Sequence, residues 1–310
     1  MKTNEFAVID IGSNSLRLMT GRWDGTKWTF SPKQLETTRL GYQVEETHHL
    51  SPAGMAASFA AMERWNAALA GMPVCAVATS AVREAADGQA FLSEIRARFG
   101  WHCRAISGLE EAALSFCGAA SGIAEETGAV VLDIGGGSSE VAVGSHNDVA
   151  WSHSYPLGAV RLTKKTQINA EERRALEAYC HEQWLPMPNR KRALLIGVGG
   201  TLTTLAAMEL EMAIYDPARI EGCVISLDRL SYHIEKLCAM QPEERRHVAG
   251  LQPKRSDIII AGLVIARSFL QKYGFDSIRI SERDLLEGVF YRHSFHDAAW
   301  RGTDASGSWL

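Results

Sequence analysis

Apolar and polar residues alternate along the chain with two different periods. Short β-branched or apolar runs predict strands, and longer segments with apolar residues every three or four positions predict helices. The predicted strands are Phe6 to Asp10, Ser15 to Gly21, Lys27 to Phe30, Val74 to Thr79, Ala129 to Gly135, Ser139 to Gly144, Arg192 to Gly199 and Asp276 to Ser281. The predicted helices cover residues 51–70, 89–99, 108–121, 170–184, 201–211, 228–239, 254–273 and 284–293. This order of elements is typical of an α/β protein.

One strand, turn and strand unit occurs twice. AVIDIGSNSLRLMTG begins at Ala7 and VVLDIGGGSSEVAVG begins at Val130, which places Asp10 and Asp133 123 positions apart. Each copy has an apolar strand ending in Asp-Ile-Gly, a small polar turn and a second apolar strand. The repeat predicts two related domains, residues 1–124 and 125–310, that meet in the loose stretch 122–128.

Composition and charge narrow the class of protein. The chain has 310 residues, of which 46% are hydrophobic and 22% charged, as in ordinary globular proteins. Its net charge is −4 and its basic clusters are short, which disfavours nucleic-acid binding. The longest apolar run, residues 258–266, is too short to span a bilayer, and the N-terminus lacks a signal-peptide pattern. The six cysteines have no zinc spacing. We therefore expect a cytoplasmic protein with reduced thiols and no membrane or nucleic-acid partner.

The two repeated turns have the composition of phosphate-binding loops. Glycines let a backbone approach a ligand closely, consecutive N–H groups can converge on an anion, and Ser or Asn adds donors. For either copy alone, a plain hairpin is the alternative. Two copies favour the phosphate interpretation, and an Asp at the end of the preceding strand is a suitable ligand for Mg²⁺.

A third glycine-rich turn, Gly197 to Thr203, follows a predicted strand and opens a helix. Its amides and the helix dipole would face an anion. The turn lacks the last glycine of a dinucleotide fingerprint, because Leu202 stands there.

The charged residues near these segments are ambiguous on residue type alone. Ser107 and Glu110 have the spacing of a capping box, which gives Glu110 a structural role. Glu111 either points into a cleft, where it can accept a proton from water, or lies solvated on the surface. Arg83 and Arg255 either grip phosphate or lie on the surface.

Seven ordered motifs resolve much of this ambiguity through a resemblance. IDIGSNSLRL, VATSAVREAADGQAFL, ISGLEEA, LDIGGGSSEV, PLGAVRLT, IGVGGTLTTLAAM and SERDLLEG resemble the exopolyphosphatase and guanosine pentaphosphate phosphohydrolase (Ppx/GppA) family in order and spacing. The resemblance covers residues 5–293. It implies two ribonuclease H-like domains, as in actin, sugar kinases and heat-shock chaperone ATPases, with an interdomain cleft, and it matches the short, two-domain branch of the family.

The resemblance also implies site residues. The catalytic residue is Glu111, which would orient or deprotonate the attacking water. The metal positions are Asp10, Asp133 and Glu140, for Mg²⁺ or alternatively Mn²⁺. The implied phosphate-binding residues are Gly12, Ser13, Asn14, Ser15, Arg17, Arg83, Gly135, Gly136, Gly137, Ser138, Ser139, Gly199, Gly200, Thr201 and Arg255.

Three positions depart from the family pattern. Ser139 stands where Thr is usual and keeps the hydroxyl. Glu221 stands where the family often has His, and Leu286 replaces an Arg. The last two changes remove potential cations and put anion affinity or chain-length preference in question.

The resemblance therefore implies an enzyme, a phosphoric anhydride hydrolase. The first hypothesis is an exopolyphosphatase that releases terminal orthophosphate from inorganic polyphosphate and favours short chains. The alternatives are a phosphohydrolase of guanosine pentaphosphate (pppGpp), an alarmone of the stringent response, and a non-catalytic alarmone sensor. A sugar or acetate kinase would also need an adenine site. We expect a homodimer.

Overall fold

The fold is described from a computed structural model, which covers residues 4–124, 127–145, 148–164, 168–188 and 193–295. Arg192, the first residue of one predicted strand, lies outside the described residues. The described chain forms two compact units. One comprises the residues up to Gly118 together with those from Leu285 onward, and the other is Ala119–Asp284. The division predicted from the repeat, at residues 124 and 125, stays a prediction of where the duplicated halves meet.

Twelve strands and twelve α-helices occur among the described residues. The strands are β1 (Glu5–Ile11), β2 (Ser15–Trp23), β3 (Trp28–Phe30), β4 (Gln34–Thr37), β5 (Val74–Ala78), β6 (His102–Ala105), β7 (Gly128–Ile134), β8 (Ser139–Ser145), β9 (Asp148–Tyr155), β10 (Leu194–Val198), β11 (Val224–Ser226) and β12 (Ser277–Ile280). The helices are α1 (Val44–Thr47), α2 (Pro52–Leu69), α3 (Ser80–Glu84), α4 (Gly88–Phe99), α5 (Gly108–Ala120), α6 (Ala170–Gln183), α7 (Gly200–Glu209), α8 (Pro217–Ile220), α9 (Leu227–Ala239), α10 (Pro242–Arg245), α11 (Ile259–Tyr273) and α12 (Leu285–Phe295). A 3₁₀ turn, Pro253–Arg255, precedes α11.

The first unit contains a mixed six-stranded sheet. Its strands run in the order β3-β2-β1-β5-β6, and β4 pairs with β2. β1 and β2 are antiparallel, whereas β1, β5 and β6 are parallel to one another. Both faces of β1 are buried after its first residue, as its continuous apolar sequence predicts.

Helix α12, at the end of the described chain, completes the core of the first unit. Phe290 packs against Phe6, with ring centroids 4.5 Å apart. Gly21 on β2 admits this ring, because a Cβ there would lie 2.5 Å from Phe290 Cε1. Leu285 and Leu286 are buried in the same cluster. The helix therefore belongs structurally to the first unit.

The second unit repeats the topology of the first. Its sheet has the order β11-β12-β10-β7-β8-β9. β7 and β8 are antiparallel, and β7, β10 and β12 are parallel. The apolar helix α11, in which Ile259–Leu270 is buried, packs with α7 and the sheet in one large core. The shared strand order and directions confirm the prediction of two ribonuclease H-like folds.

Two general expectations also concern the described chain. Among its helices, none combines the length and the apolar character needed to cross a membrane. All six cysteines are free thiols, and Cys75, Cys103 and Cys180 are buried.

Candidate active site

Glu111 lies in the first turn of α5, and its side chain is buried. Arg83, at the end of α3, donates from Nη1 to Glu111 Oε2 at 3.0 Å and to the carbonyl oxygen of Ile106 at 2.8 Å. The guanidinium therefore ties the carboxylate to the loop that precedes its own helix. This geometry gives Glu111 a fixed orientation, and it makes Arg83 a direct partner of Glu111.

The neighbouring Glu110 has a different environment. Ser107 Oγ accepts the N–H of Glu110 at 3.2 Å, which is half of the predicted capping box. The Glu110 carboxylate binds Arg104, with Nη1 2.8 Å from Oε2 and a second, shorter contact from Nη2 to Oε1. The two adjacent glutamates thus differ in environment: Glu111 is buried, whereas Glu110 forms a partly exposed ion pair with Arg104.

The turn between β1 and β2 has its carbonyl groups fixed by a neighbouring loop. Gly41 N–H donates to the Ser13 carbonyl at 2.7 Å, and the N–H groups of Thr38 and Arg39 donate to the Asn14 carbonyl at 3.1 and 2.9 Å. In a trans peptide the N–H points opposite to the C=O. The N–H groups of Asn14 and Ser15 therefore point away from this loop, together, as anion binding requires.

The side chains of this turn have partners of their own. Ser13 Oγ accepts the N–H of Ala81 at 3.2 Å, and Asn14 Nδ2 donates to Ser15 Oγ at 3.2 Å. Ser13, Asn14 and Ser15 are all buried. Gly12 closes the turn, because its N–H donates to the Ser15 carbonyl at 3.1 Å.

Asp10 and Arg17 face each other across β1 and β2. They are directly opposite in the antiparallel register, and Arg17 donates from Nε and Nη2 to Asp10 Oδ2 at 2.9 and 2.6 Å. Arg17 is held beside the first turn, where it adds positive charge. The predicted metal role of Asp10 stays a prediction, and its Oδ2 atom already accepts two hydrogen bonds from Arg17.

Asp133 and Glu140 are the counterparts of Asp10 and Arg17 in the second copy. They too are directly opposite, on β7 and β8. Both are buried, and Glu140 Oε1 accepts the hydroxyl of Ser154 at 2.7 Å. Like charges placed directly opposite are destabilising unless a cation or proton lies near them. Where the first copy carries a carboxylate and a guanidinium, the second carries two carboxylates.

The turn between β7 and β8 is fixed in the same manner as the first. Gly135 N–H donates to the Ser138 carbonyl at 2.9 Å, as Gly12 does to Ser15. The carbonyls of Gly135, Gly136 and Gly137 all accept hydrogen bonds from the segment that follows β9. Ser139 uses its hydroxyl to donate to the Leu157 carbonyl at 2.5 Å.

The third turn brings together residues from three parts of the second unit. Gly199 has φ 87°, and a Cβ there would lie 2.6 Å from Asp133 Oδ1. A Cβ at Gly200 would lie 2.2 Å from Nη1 of the buried Arg255. Only glycines allow this approach of a carboxylate and a guanidinium to the start of α7. Thr201 is buried and lies next to Gly262 of α11.

The departures from the family pattern have structural roles. Glu221 accepts the N–H of Glu282 at 2.8 Å and the hydroxyl of Ser281 at 3.2 Å, which fastens the end of β12. Leu286 is fully buried in the core of the first unit.

Tyr215 contacts the same strand end, because its hydroxyl donates to Glu282. Burial, and to a lesser extent the charge of Glu282, raises the pKa of this tyrosine.

The fit of the site to a divalent cation rests on two carboxylates. No group of three or more His, Cys, Asp or Glu side chains suited to a metal occurs among the described residues. Mg²⁺ usually keeps several waters and binds through one or two carboxylates together with substrate phosphates. The opposed pair Asp133 and Glu140, beside a turn with oriented amides, suits that mode of binding.

Sequence reasoning missed two contacts that shape the site. One is the bond from Arg161 Nε to the Gly137 carbonyl. The other is the bond from Ser154 to Glu140. Arg161 lies in PLGAVRLT, one of the seven motifs of the resemblance, whereas Ser154 carries no local signal.

The fold and these turns define a class of protein: an α/β protein of two ribonuclease H-like units, each with a glycine-containing turn between its first two strands. The chain belongs to the Ppx/GppA phosphatase family, whose family model matches residues 24–295. It is accordingly a hydrolase that acts on phosphoric anhydrides.

Individual relatives agree with this membership. The chain is 30% identical to Exopolyphosphatase 2 of Mycobacterium tuberculosis, over 93% of this chain and 98% of the relative. It is similar to a solved exopolyphosphatase-like protein, with a TM-score of 0.86 and 28% identity over 94% of this chain and 99% of that chain. The Ppx/GppA family member of Aquifex aeolicus gives a TM-score of 0.78 and 27% identity, over 95% and 98%.

Proposed function

We propose that this protein is an exopolyphosphatase that releases terminal orthophosphate from inorganic polyphosphate. The observation that carries the proposal is the buried Glu111 carboxylate, oriented by Arg83 at the start of α5. A carboxylate held in one orientation can accept a proton from water and direct the oxygen toward phosphorus. Glu110, tied to Arg104 beside it, lacks that burial.

The remaining residues have binding roles in this proposal. The oriented amides of the turns at Gly12–Ser15 and Gly135–Ser139 would hold phosphate oxygens, and Arg17 and Arg255 would add positive charge. Asp133 and Glu140 would hold Mg²⁺, or Mn²⁺ as an alternative. The cation, when bound, would neutralise negative charge on phosphoryl oxygens.

Short polyphosphates are the proposed preferred substrates. The chain has net charge −4. The two positions at which the family pattern has cations are occupied by a strand-end acceptor, Glu221, and a core residue, Leu286. We find no support in the described residues for an extended basic track. Guanosine pentaphosphate, which also ends in a phosphoanhydride, is the alternative substrate.

The test compares phosphate release from tripolyphosphate, long-chain polyphosphate and guanosine pentaphosphate at equal concentrations of terminal phosphate. The proposal expects release from both polyphosphates, with kcat/KM on tripolyphosphate at least equal to that on the long chain. Release from guanosine pentaphosphate alone would assign the alternative activity. Binding of guanosine pentaphosphate without release from any substrate would indicate a sensor.

A further inference from the structure

The segment Leu157–Arg161 follows β9 and packs directly on the turn between β7 and β8. A Cβ at Gly158 would lie 2.2 Å from the Gly136 carbonyl oxygen, so only glycine permits the contact. The Leu157 carbonyl accepts the Ser139 hydroxyl. The segment is therefore a fixed support beneath the turn.

Three consecutive turn carbonyls are held by three consecutive residues of this segment. Ala159 N–H donates to Gly135 O at 3.0 Å, and Val160 N–H donates to Gly136 O at 2.8 Å. The third carbonyl, of Gly137, accepts Arg161 Nε–H at 2.5 Å. Main-chain groups hold the first two carbonyls, and a side chain holds the third.

The direction of each carbonyl fixes the direction of the next amide. Because the peptide group is planar and trans, the N–H of Ser138 points opposite to the Gly137 carbonyl. We propose that Arg161 is a positioning residue that aims the Ser138 N–H at the terminal phosphate by holding the Gly137 carbonyl. The proposal rests on the proposed function, in which this turn binds that phosphate.

The first turn shows why the second is sensitive to a side chain. The Ser13 and Asn14 carbonyls receive main-chain N–H groups from the loop Thr38–Gly41, which substitution does not remove. The Gly137 carbonyl is instead held by the side-chain Nε–H of Arg161. A point substitution can therefore alter one amide of the second turn while the rest of the support stays.

Three substitutions separate positioning from charge. In Arg161→Gln, the side-chain amide nitrogen lies the same number of bonds from Cα as Nε, so the N–H donor is kept and the charge is lost. Arg161→Met places a methyl group there and loses both. Arg161→Lys keeps the charge but places a methylene at the Nε position. All three leave the main-chain bonds of the segment in place.

The experiment measures kcat and KM on tripolyphosphate, tripolyphosphate affinity by titration calorimetry, and the thermal midpoint of each variant. We expect Arg161→Gln to keep kcat within about threefold of the parent. We expect Arg161→Met to lower kcat about tenfold or more, since one preorganised donor contributes up to 10²–10³ in kcat. The fold-change in tripolyphosphate affinity should be smaller than the fold-change in kcat. If Arg161→Met does not fold, Arg161→Lys replaces it, because it also lacks the Nε–H.

Two results overturn the proposal. In one, Arg161→Met is as active as the parent, so that Arg161 has no role. In the other, the kcat of Arg161→Gln is lowered as much as that of Arg161→Met. If Arg161→Lys then keeps the kcat of the parent, the role of Arg161 is a charge contact with the substrate. If the parent protein binds tripolyphosphate but releases no phosphate, the proposed function is wrong. The role of Arg161 is still tested in that case, because the affinities of the variants report whether the Ser138 N–H is positioned for phosphate.

Discussion

Two adjacent glutamates at the start of α5 illustrate how environment decides the role of a residue. Glu110 and Glu111 have the same side chain, yet only Glu111 is buried, with Arg83 on its carboxylate. The two hydrogen bonds of Arg83, to this carboxylate and to the Ile106 carbonyl, hold the Glu111 side chain in one orientation. The residue type alone left both surface and catalytic interpretations open. The burial of Glu111 contradicts the solvated-surface interpretation, and its catalytic role stays a prediction.

The opposed carboxylates Asp133 and Glu140 lead to a prediction at the same scale. Asp133→Asn should raise the Mg²⁺ concentration needed for half-maximal phosphate release, because an amide is a weaker ligand for a hard cation than a carboxylate. The measurement is a metal titration of initial rates. Asp148→Asn, an exposed position on β9, is the matched control and should leave the titration unchanged. An unchanged titration for Asp133→Asn would place the metal elsewhere.

Burial also sets the reactivity of individual thiols. Burial raises the pKa of Cys75 to about 12 and that of Cys180 to about 12. Because the folded pKa lies above the ordinary thiol value, both groups stay protonated at pH 8.5, where an unfolded cysteine is about half ionised. Iodoacetamide followed by peptide mass spectrometry should find both unmodified in the folded protein and modified in urea. Equal labelling in both states would contradict the described burial.

At the scale of elements, most segments with a sustained apolar pattern were predicted, and segments that lack such a pattern were missed. The strands β1, β2, β7 and β8 and the helix α2 were predicted from sequence, because each carries a sustained apolar pattern. The strands β4, β6, β9 and β11 were missed. β6 has four residues, and only Cys103 among them is buried. Its pairing with β5 is set by tertiary packing, which no local period encodes.

The same limit explains what the sequence could say of the site. The two hairpin turns follow from glycine and serine in a repeated pattern. Arg83 and Glu111, however, are 28 positions apart, and β5 and β6 must pair before the arginine reaches the carboxylate. The start of α11 was predicted at residue 254 but lies at Ile259, because Pro253 begins a 3₁₀ turn that ends with Arg255.

The packing of α12 against α5 gives a prediction at the scale of elements. A Cβ at Gly288 would lie 1.9 Å from the Leu114 carbonyl oxygen, so Gly288→Ala must push the two helices apart. We expect a loss of about 1–3 kcal/mol in the free energy of unfolding, as for other overpacked sites, measured as a lower thermal midpoint. Gly128→Ala is the control, because its nearest neighbour would be Ala193 Cβ at 4.0 Å. Equal midpoints for the two variants would contradict the close approach.

At the scale of the whole molecule, the repeat of 123 positions predicted the shared topology of the two units. It did not predict that α12 returns to the first unit, because that contact joins Phe290 to Phe6 across almost the full length of the chain. A duplication appears in a sequence as a repeated motif, whereas a contact between two distant segments of one core leaves no repeated pattern in the sequence.

Charge at this scale leads to the prediction on chain length. A net charge of −4 gives weak steering of a polyanion, so the rate should depend only shallowly on added salt. A gel-resolved time course on long polyphosphate should show a ladder of intermediates, since the chain is expected to be released between cuts. Disappearance of long chains without a ladder, while short chains persist, would show processive hydrolysis and contradict this prediction.

The central claim is that Glu111 acts on the attacking water, and one pair of variants tests it most directly. Glu111→Gln and Glu110→Gln are compared for phosphate release from tripolyphosphate, with tripolyphosphate affinity and thermal midpoint measured beside them. Glu111→Gln should keep affinity but lower kcat by about 10²-fold or more, because a positioned general base contributes 10²–10⁴. Glu110→Gln, which loses only the ion pair with Arg104, should keep kcat within about threefold. Parent-like turnover by Glu111→Gln would remove this residue from the mechanism and contradict the account.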